Sequence, residues 1–137
     1  MLLMYGADVN TRDSTGDTAL MCSIHHGYIM TTELLLKHGA KVNVKDSSGW
    51  TPLERTVLKG DVKITDMLLD YGAKVNVKNS EGYTPLMTAA MNGNAKLVER
   101  LIMHGANVNA KNNLGYTALD CSYSKEAAEI LRRYITE

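Results

Sequence analysis

Glycine stands at positions 16, 49, 82 and 115, and its surroundings repeat with it at a step of 33 residues. Thr18, Thr51, Thr84 and Thr117 keep that step, as do Leu20, Leu53, Leu86 and Leu119. The pair Gly-Ala recurs at 6–7, 39–40, 72–73 and 105–106, and Val-Asn follows at 9–10, 42–43, 75–76 and 108–109. A period of this size marks a stack of small units, none of which can bury its apolar face alone.

One period already outlines its own local structure. Thr51 is a good helix N-cap, Pro52 suits the first helical position, and Glu54 completes the spacing of a capping box. A first helix is expected to run to about Lys59, where Gly60 can turn left-handed and end it. A second follows over roughly 62–71, with Ile64, Leu68 and Leu69 inward, and Gly72 closes it. Both are under ~12 residues, too short to hold in water without neighbours. The segments 40–50 and 73–83 then read as hairpin-like connectors.

The stretch "GWTPLERTVLKGDVKITDMLLDYGAKVN" (49–76) resembles an ankyrin repeat, and the resemblance covers essentially the whole chain. It implies an all-α fold: an ankyrin-repeat solenoid of stacked helix-turn-helix units joined by β-hairpin-like loops. The chain divides as a partial unit (1–12), three complete ones (13–45, 46–78, 79–111) and a C-terminal capping unit (112–137), together one domain. The complete units and the cap are numbered one to four below.

Departures from the family pattern carry expectations of their own. The histidine that usually follows Pro-Leu is Met21, Glu54, Met87 and Asp120, of which Glu54 and Asp120 are candidate acceptors at the third helical position. Ala19 and Ala118 replace proline, and Glu126 replaces the inter-helix glycine. Lys125, Glu129, Arg132 and Arg133 suit a solvent-facing terminal unit.

Lys plus Arg and Asp plus Glu are 15 each, so the chain as a whole exerts no general pull on nucleic acid or an anionic membrane. No stretch approaches the ~20 apolar residues of a membrane span, and the opening lacks the basic region of a signal peptide. The expectation is a cytoplasmic protein, with no nucleic-acid and no membrane partner. Arg12, Lys45, Lys78 and Lys111 form a basic column at the connectors, but Asp13 and Asp46 follow directly and neutralise it locally.

Cys22 and Cys121 lie three periods apart. Helices pack at ~8–10 Å, which separates them by roughly 25–30 Å and precludes a bridge. Cys22, His25 and His26 share helical spacing, but zinc wants a fourth ligand and a recognised pattern, so no metal and no cofactor is expected. There is no phosphate loop, nucleophile elbow or HExxH pattern, and residues that recur every period do not make the unlike, convergent set that catalysis needs. The chain reads as a non-enzyme.

Two sets of positions vary inside the fixed frame and are the candidates for partner binding. After the first glycine stand Asp17, Trp50, Tyr83 and Tyr116, a column in which Trp50 is the single tryptophan. Before the inter-helix glycine stand the pairs His25-His26, Leu58-Lys59 and Met91-Asn92. The resemblance places the pairs along a concave groove together with the loop tips; for the aromatic column it also offers a structural role, packing over the connector. Aromatic and apolar groups there suit a protein partner.

The function inferred is non-catalytic protein binding through the concave face and the loop tips. The alternative is a spacer segment within a larger array. Asn10, Asn43, Asn76 and Asn109 are expected to bond backbone groups between units. In the opening "MLLMYGADVN", Leu2 and Leu3 match Leu35 and Leu36, so the chain is expected to begin part-way through a unit. The apolar N-terminal face this leaves would be a place for self-association.

Overall fold

The computed structural model describes residues 8–135. Among them are eight helices and no strand. They come in pairs: α1 (Ala19–His26) with α2 (Ile29–Lys37), α3 (Pro52–Lys59) with α4 (Val62–Asp70), α5 (Pro85–Met91) with α6 (Ala95–Met103), and α7 (Ala118–Cys121) with α8 (Lys125–Tyr134). The odd-numbered helices pack in sequence on one another, α1 on α3, α3 on α5 and α5 on α7, and the even-numbered helices form a second layer behind them. The connectors are turns rather than paired strands.

The capping chemistry sets the helix bounds. The hydroxyls of Thr18, Thr51, Thr84 and Thr117 each accept from the backbone N–H three residues on. The carboxylates of Glu54 and Asp120 return the favour, accepting from Thr51 N at 2.9 Å and Thr117 N at 3.0 Å. Where Met21 stands instead, its sulfur lies 3.4 Å from Thr18 N, a weak acceptor. Gly27 and Gly60 end α1 and α3 at φ +72° and +78°, a region that other residues rarely enter.

The core lies between the two helix layers and continues from unit to unit. Leu53, Val57, Leu86, Leu97, Leu101 and Leu131 are fully buried in one continuous cluster, and Leu20, Ile64 and Leu68 in a second that adjoins it. Inside units one and two, helix meets helix through buried hydroxyls: Ser23 Oγ lies 2.8 Å from Thr32 Oγ1, and Thr65 Oγ1 lies 2.9 Å from Thr56 Oγ1. Unit three fills the same two positions with Ala89 and Val98, both buried.

Side-chain amides lace neighbouring connectors together, as expected of the recurrent asparagines. Asn10 donates to the Gly39 carbonyl and accepts from Lys41 N; Asn43 does the same with Gly72 and Lys74, and Asn76 with Gly105 and Asn107. For Asn109 the described residues hold no such bridge.

Unit four departs from the period. Its first helix stops at Cys121 and its second starts at Lys125, one turn earlier than α2, α4 and α6 do in their units. With Glu126 at the glycine position, the turn is made upstream, where Ser124 caps α8 through Ala127 N. Tyr123 occupies the position that Ile24, Val57 and Ala90 bury, yet it is 84% exposed, and its N–H donates to the Ala90 carbonyl. Lys125, Glu129, Arg132 and Arg133 face solvent. The matches expected of Leu2, Leu3 and Gly6, and the self-association surface they imply, fall outside the described residues.

Candidate functional site: a hollow between units one and two

A hollow of about 550 Å³ opens beside α1 and α3, under the loop at 46–50. Asp17 and His25 line it from unit one; Trp50, Leu58 and Lys59 line it from unit two. The structure thus gathers five of the ten sequence candidates. His26 turns aside and stacks on Tyr28 at 5.3 Å. Tyr83, Met91, Asn92 and Tyr116 sit at the equivalent positions of units three and four, beyond the hollow.

Two of the candidates have structural work already. Lys59 Nζ donates to the carbonyls of Ile24 at 3.0 Å and His25 at 2.7 Å, which satisfies the C-terminal end of α1 and suits its dipole. Asn92 Nδ2 makes a longer contact of 3.5 Å to the Leu58 carbonyl, the corresponding place at the end of α3.

Residues missed from the sequence complete the wall. Arg55 donates from Nε and an Nη to one oxygen of Asp46, at 2.9 and 2.7 Å, while its guanidinium carbon sits 4.8 Å from the Trp50 ring centroid. The ion pair and the cation–π contact together fix the indole. Asp46 Oδ1 also accepts from Ser48 N and Trp50 N, which holds the loop closed. Burial alone would raise the Asp46 pKa; the Trp50 N–H, Arg55 and the Ser48 N–H outweigh it and hold the carboxyl below the ordinary range. The signal in the sequence was the series Cys22, Arg55, Thr88 and Cys121, a position that varies as freely as the ones chosen.

The hollow has apolar lining as well: Met21, the buried Ile24 and the exposed Leu58. Its unit-one rim is acidic. Oxygens of Asp13 and Asp17 and the Cys22 sulfur all lie within 4.8 Å of one another. This trio is not the Cys22, His25 and His26 set weighed from spacing; His25 instead meets His26 edge-on at 5.1 Å. Asp13 Oδ1 accepts from Thr15 N, Thr15 Oγ1 and Asp17 N, so the loop itself accounts for that carboxylate. The Thr15 hydroxyl bond, ahead of the backbone bonds, keeps Asp13 below its ordinary pKa. Burial first, then the charges of Asp17 and Asp13, push the Cys22 thiol upward. Among the described residues neither aspartate has an ion-pair partner.

The loop tips are held differently along the stack. Between units three and four the tips are clasped: Asn113 Nδ2 donates to the Ser80 carbonyl and Asn113 N to the Glu81 carbonyl, both at 3.0 Å. A Cβ on Gly82 would stand 2.8 Å from Asn113 N, so only glycine admits that approach. At the equivalent of Asn113, units two and three carry Ser47 and Ser80, and among the described residues neither bonds to the loop of the unit before it. A Cβ on Gly16 would meet the Ser47 Cβ only at 3.7 Å, and one on Gly49 would meet nothing within 4 Å.

Cys22 and Cys121 are both free thiols. No helix among the described residues is long and apolar enough to cross a membrane. A family model for ankyrin repeats in three copies matches residues 1–79, and a second, for ankyrin repeats in many copies, matches 68–121. No curated protein matches the chain. Domains of this kind generally mediate protein–protein interaction and are typically non-catalytic. Helix pairs, capping pattern and family models agree, and the chain belongs to the ankyrin repeat family.

Proposed function

We propose that this chain is a non-catalytic binding module that holds a protein partner along the face formed by its odd-numbered helices and loop tips. What supports the reading above all is the hollow, where an indole, an exposed leucine and the Asp17 carboxylate, which has no ion-pair partner among the described residues, converge from two units of otherwise uniform design. Such a surface is set before the partner arrives, so little entropy is lost on binding. Continued past Tyr83, Met91 and Tyr116, it is long enough for an interface of ~800 Å² per partner. The two free thiols fit residence in a reducing compartment such as the cytoplasm.

The direct test replaces Trp50, Leu58, Tyr83 and Met91 by alanine together, with circular dichroism to confirm the fold, and measures capture of the natural partner. Loss of capture by the folded variant is expected. Undiminished capture would sink the assignment of this face.

A further inference from the structure

The chemistry of the hollow specifies more than a protein partner. Trp50, Leu58 and Met21 offer it apolar surface, and Leu58 is 47% exposed although its neighbours Thr56 and Val57 are buried. The two cations on its wall lie away from the unit-one loop. Arg55 is neutralised by Asp46 and packed on Trp50. Lys59 keeps its charge but is held at the C-terminal end of α1, the opposite end of that helix from Asp17. At the unit-one loop the balance is negative, because Asp13 and Asp17 outnumber its one cation, Arg12, which bonds the Gly16 carbonyl. Asp17 lines the hollow, Asp13 stands beside it, and no cation pairs with either among the described residues. This acidity is particular to unit one. Units two to four carry Trp50, Tyr83 and Tyr116 where Asp17 stands, and units three and four carry Asn79 and Asn112 in place of Asp13.

From this complementarity we infer that the hollow takes a segment of the partner protein in which an arginine or lysine neighbours a large apolar side chain, the cation meeting Asp13 and Asp17 and the apolar group lying on Trp50 and Leu58. The inference rests on the protein-binding role proposed above and adds the chemistry of the occupant. The carboxylates select the cation and speed its approach, and the apolar contact supplies affinity once water is excluded. A segment with an acid in the same place would meet Asp17 unfavourably and lose the contact.

The test selects peptides from a random phage-displayed library on the intact chain, with the Trp50→Ala, Leu58→Ala variant as the counter-selection. Selected peptides are then synthesised and titrated by the fluorescence of Trp50, the single tryptophan. Pools enriched in Arg or Lys beside Leu, Ile, Met or an aromatic are expected. The double variant Asp13→Asn, Asp17→Asn should bind them about tenfold more weakly at low salt, with the difference shrinking at high salt. The fold is safe in that variant, because asparagine already holds the loops at Asn79 and Asn112, the equivalents of Asp13, and the Asp17 carboxylate takes part only in a long 3.3 Å bond from Thr15 Oγ1. Pools without a cation that still require Trp50 and Leu58 would overturn the inference and leave the protein-binding role standing. Unchanged affinity in the double variant would do likewise. Failure to select any peptide dependent on Trp50 and Leu58 would overturn both.

Discussion

Asn113 reaches across to the carbonyl of Ser80 at 3.0 Å and clasps the loop of unit four to that of unit three. Its counterpart Ser47, like Ser80 in unit three, makes no such bond with the unit before it, and the hollow lies beside Ser47. Asn113→Ser should lower stability by about 0.5–1.5 kcal/mol, the net worth of one hydrogen bond, measured by urea denaturation. Ser47→Asn should do the reverse at the other end, tightening the loops and weakening any ligand seated between them. A Ser47→Asn variant that binds the partner as tightly as before would separate the hollow from binding.

The buried hydroxyls of Thr56 and Thr65, 2.9 Å apart, tie α3 to α4. Thr65→Val alone should cost about 1–2 kcal/mol, because it takes a partner from a buried polar group. The pair Thr56→Ala with Thr65→Val should cost clearly less than the two single changes summed. It recreates the apolar solution already present at Ala89 and Val98. A double-mutant cycle with no coupling would refute this account of the pair.

Asp46 has two tasks that substitution can separate. Asp46→Asn keeps the acceptor for Ser48 N and Trp50 N, as Asn79 does for Glu81 N and Tyr83 N, and gives up only the Arg55 pair. About 0.5–1 kcal/mol is expected at neutral pH. Asp46→Ala, which also strands the N–H groups, should cost about 1–2 kcal/mol more. Because the folded carboxyl titrates below its ordinary range, its contribution is present above about pH 3.9 and is lost as pH falls through the lower, folded value. The gap between wild type and Asp46→Asn should therefore close on acidification below about pH 4. A gap that widens would reverse the sign argued here.

Cys22 is exposed yet should react slowly. Burial of its sulfur and the neighbouring Asp17 and Asp13 raise its pKa, so less of the nucleophilic thiolate is present at a given pH. Alkylation at mildly alkaline pH should run slower than for a free cysteine and quicken in Asp13→Asn, Asp17→Asn. Equal rates in the two proteins would show that the carboxylates do not act on the thiol.

Much of this architecture was legible in the sequence, because helix ends are set by local chemistry. Thr51, Pro52, Glu54 and Gly60 declare the bounds of α3 within one short stretch, and the inward Ile64, Leu68 and Leu69 follow from helical spacing. The groove candidates were found where residues vary inside that frame. What escaped depends on contacts between residues distant in sequence or on several weak preferences at once. Arg55 gains its role only when folding brings it to Asp46 and over Trp50. Lys59 looked free for a partner until the end of α1 came within reach of it. The early stop of α7, which leaves Tyr123 in solvent, follows from the loss of glycine at Glu126 together with a good cap at Ser124.

The most direct test of the central claim is a map of amide chemical-shift changes in the labelled chain on addition of its protein partner. The largest changes are expected at Asp17, His25, Trp50 and Leu58, with the rear helices α2, α4 and α6 undisturbed. Changes concentrated on those rear helices, with the residues around Trp50 silent, would contradict the claim.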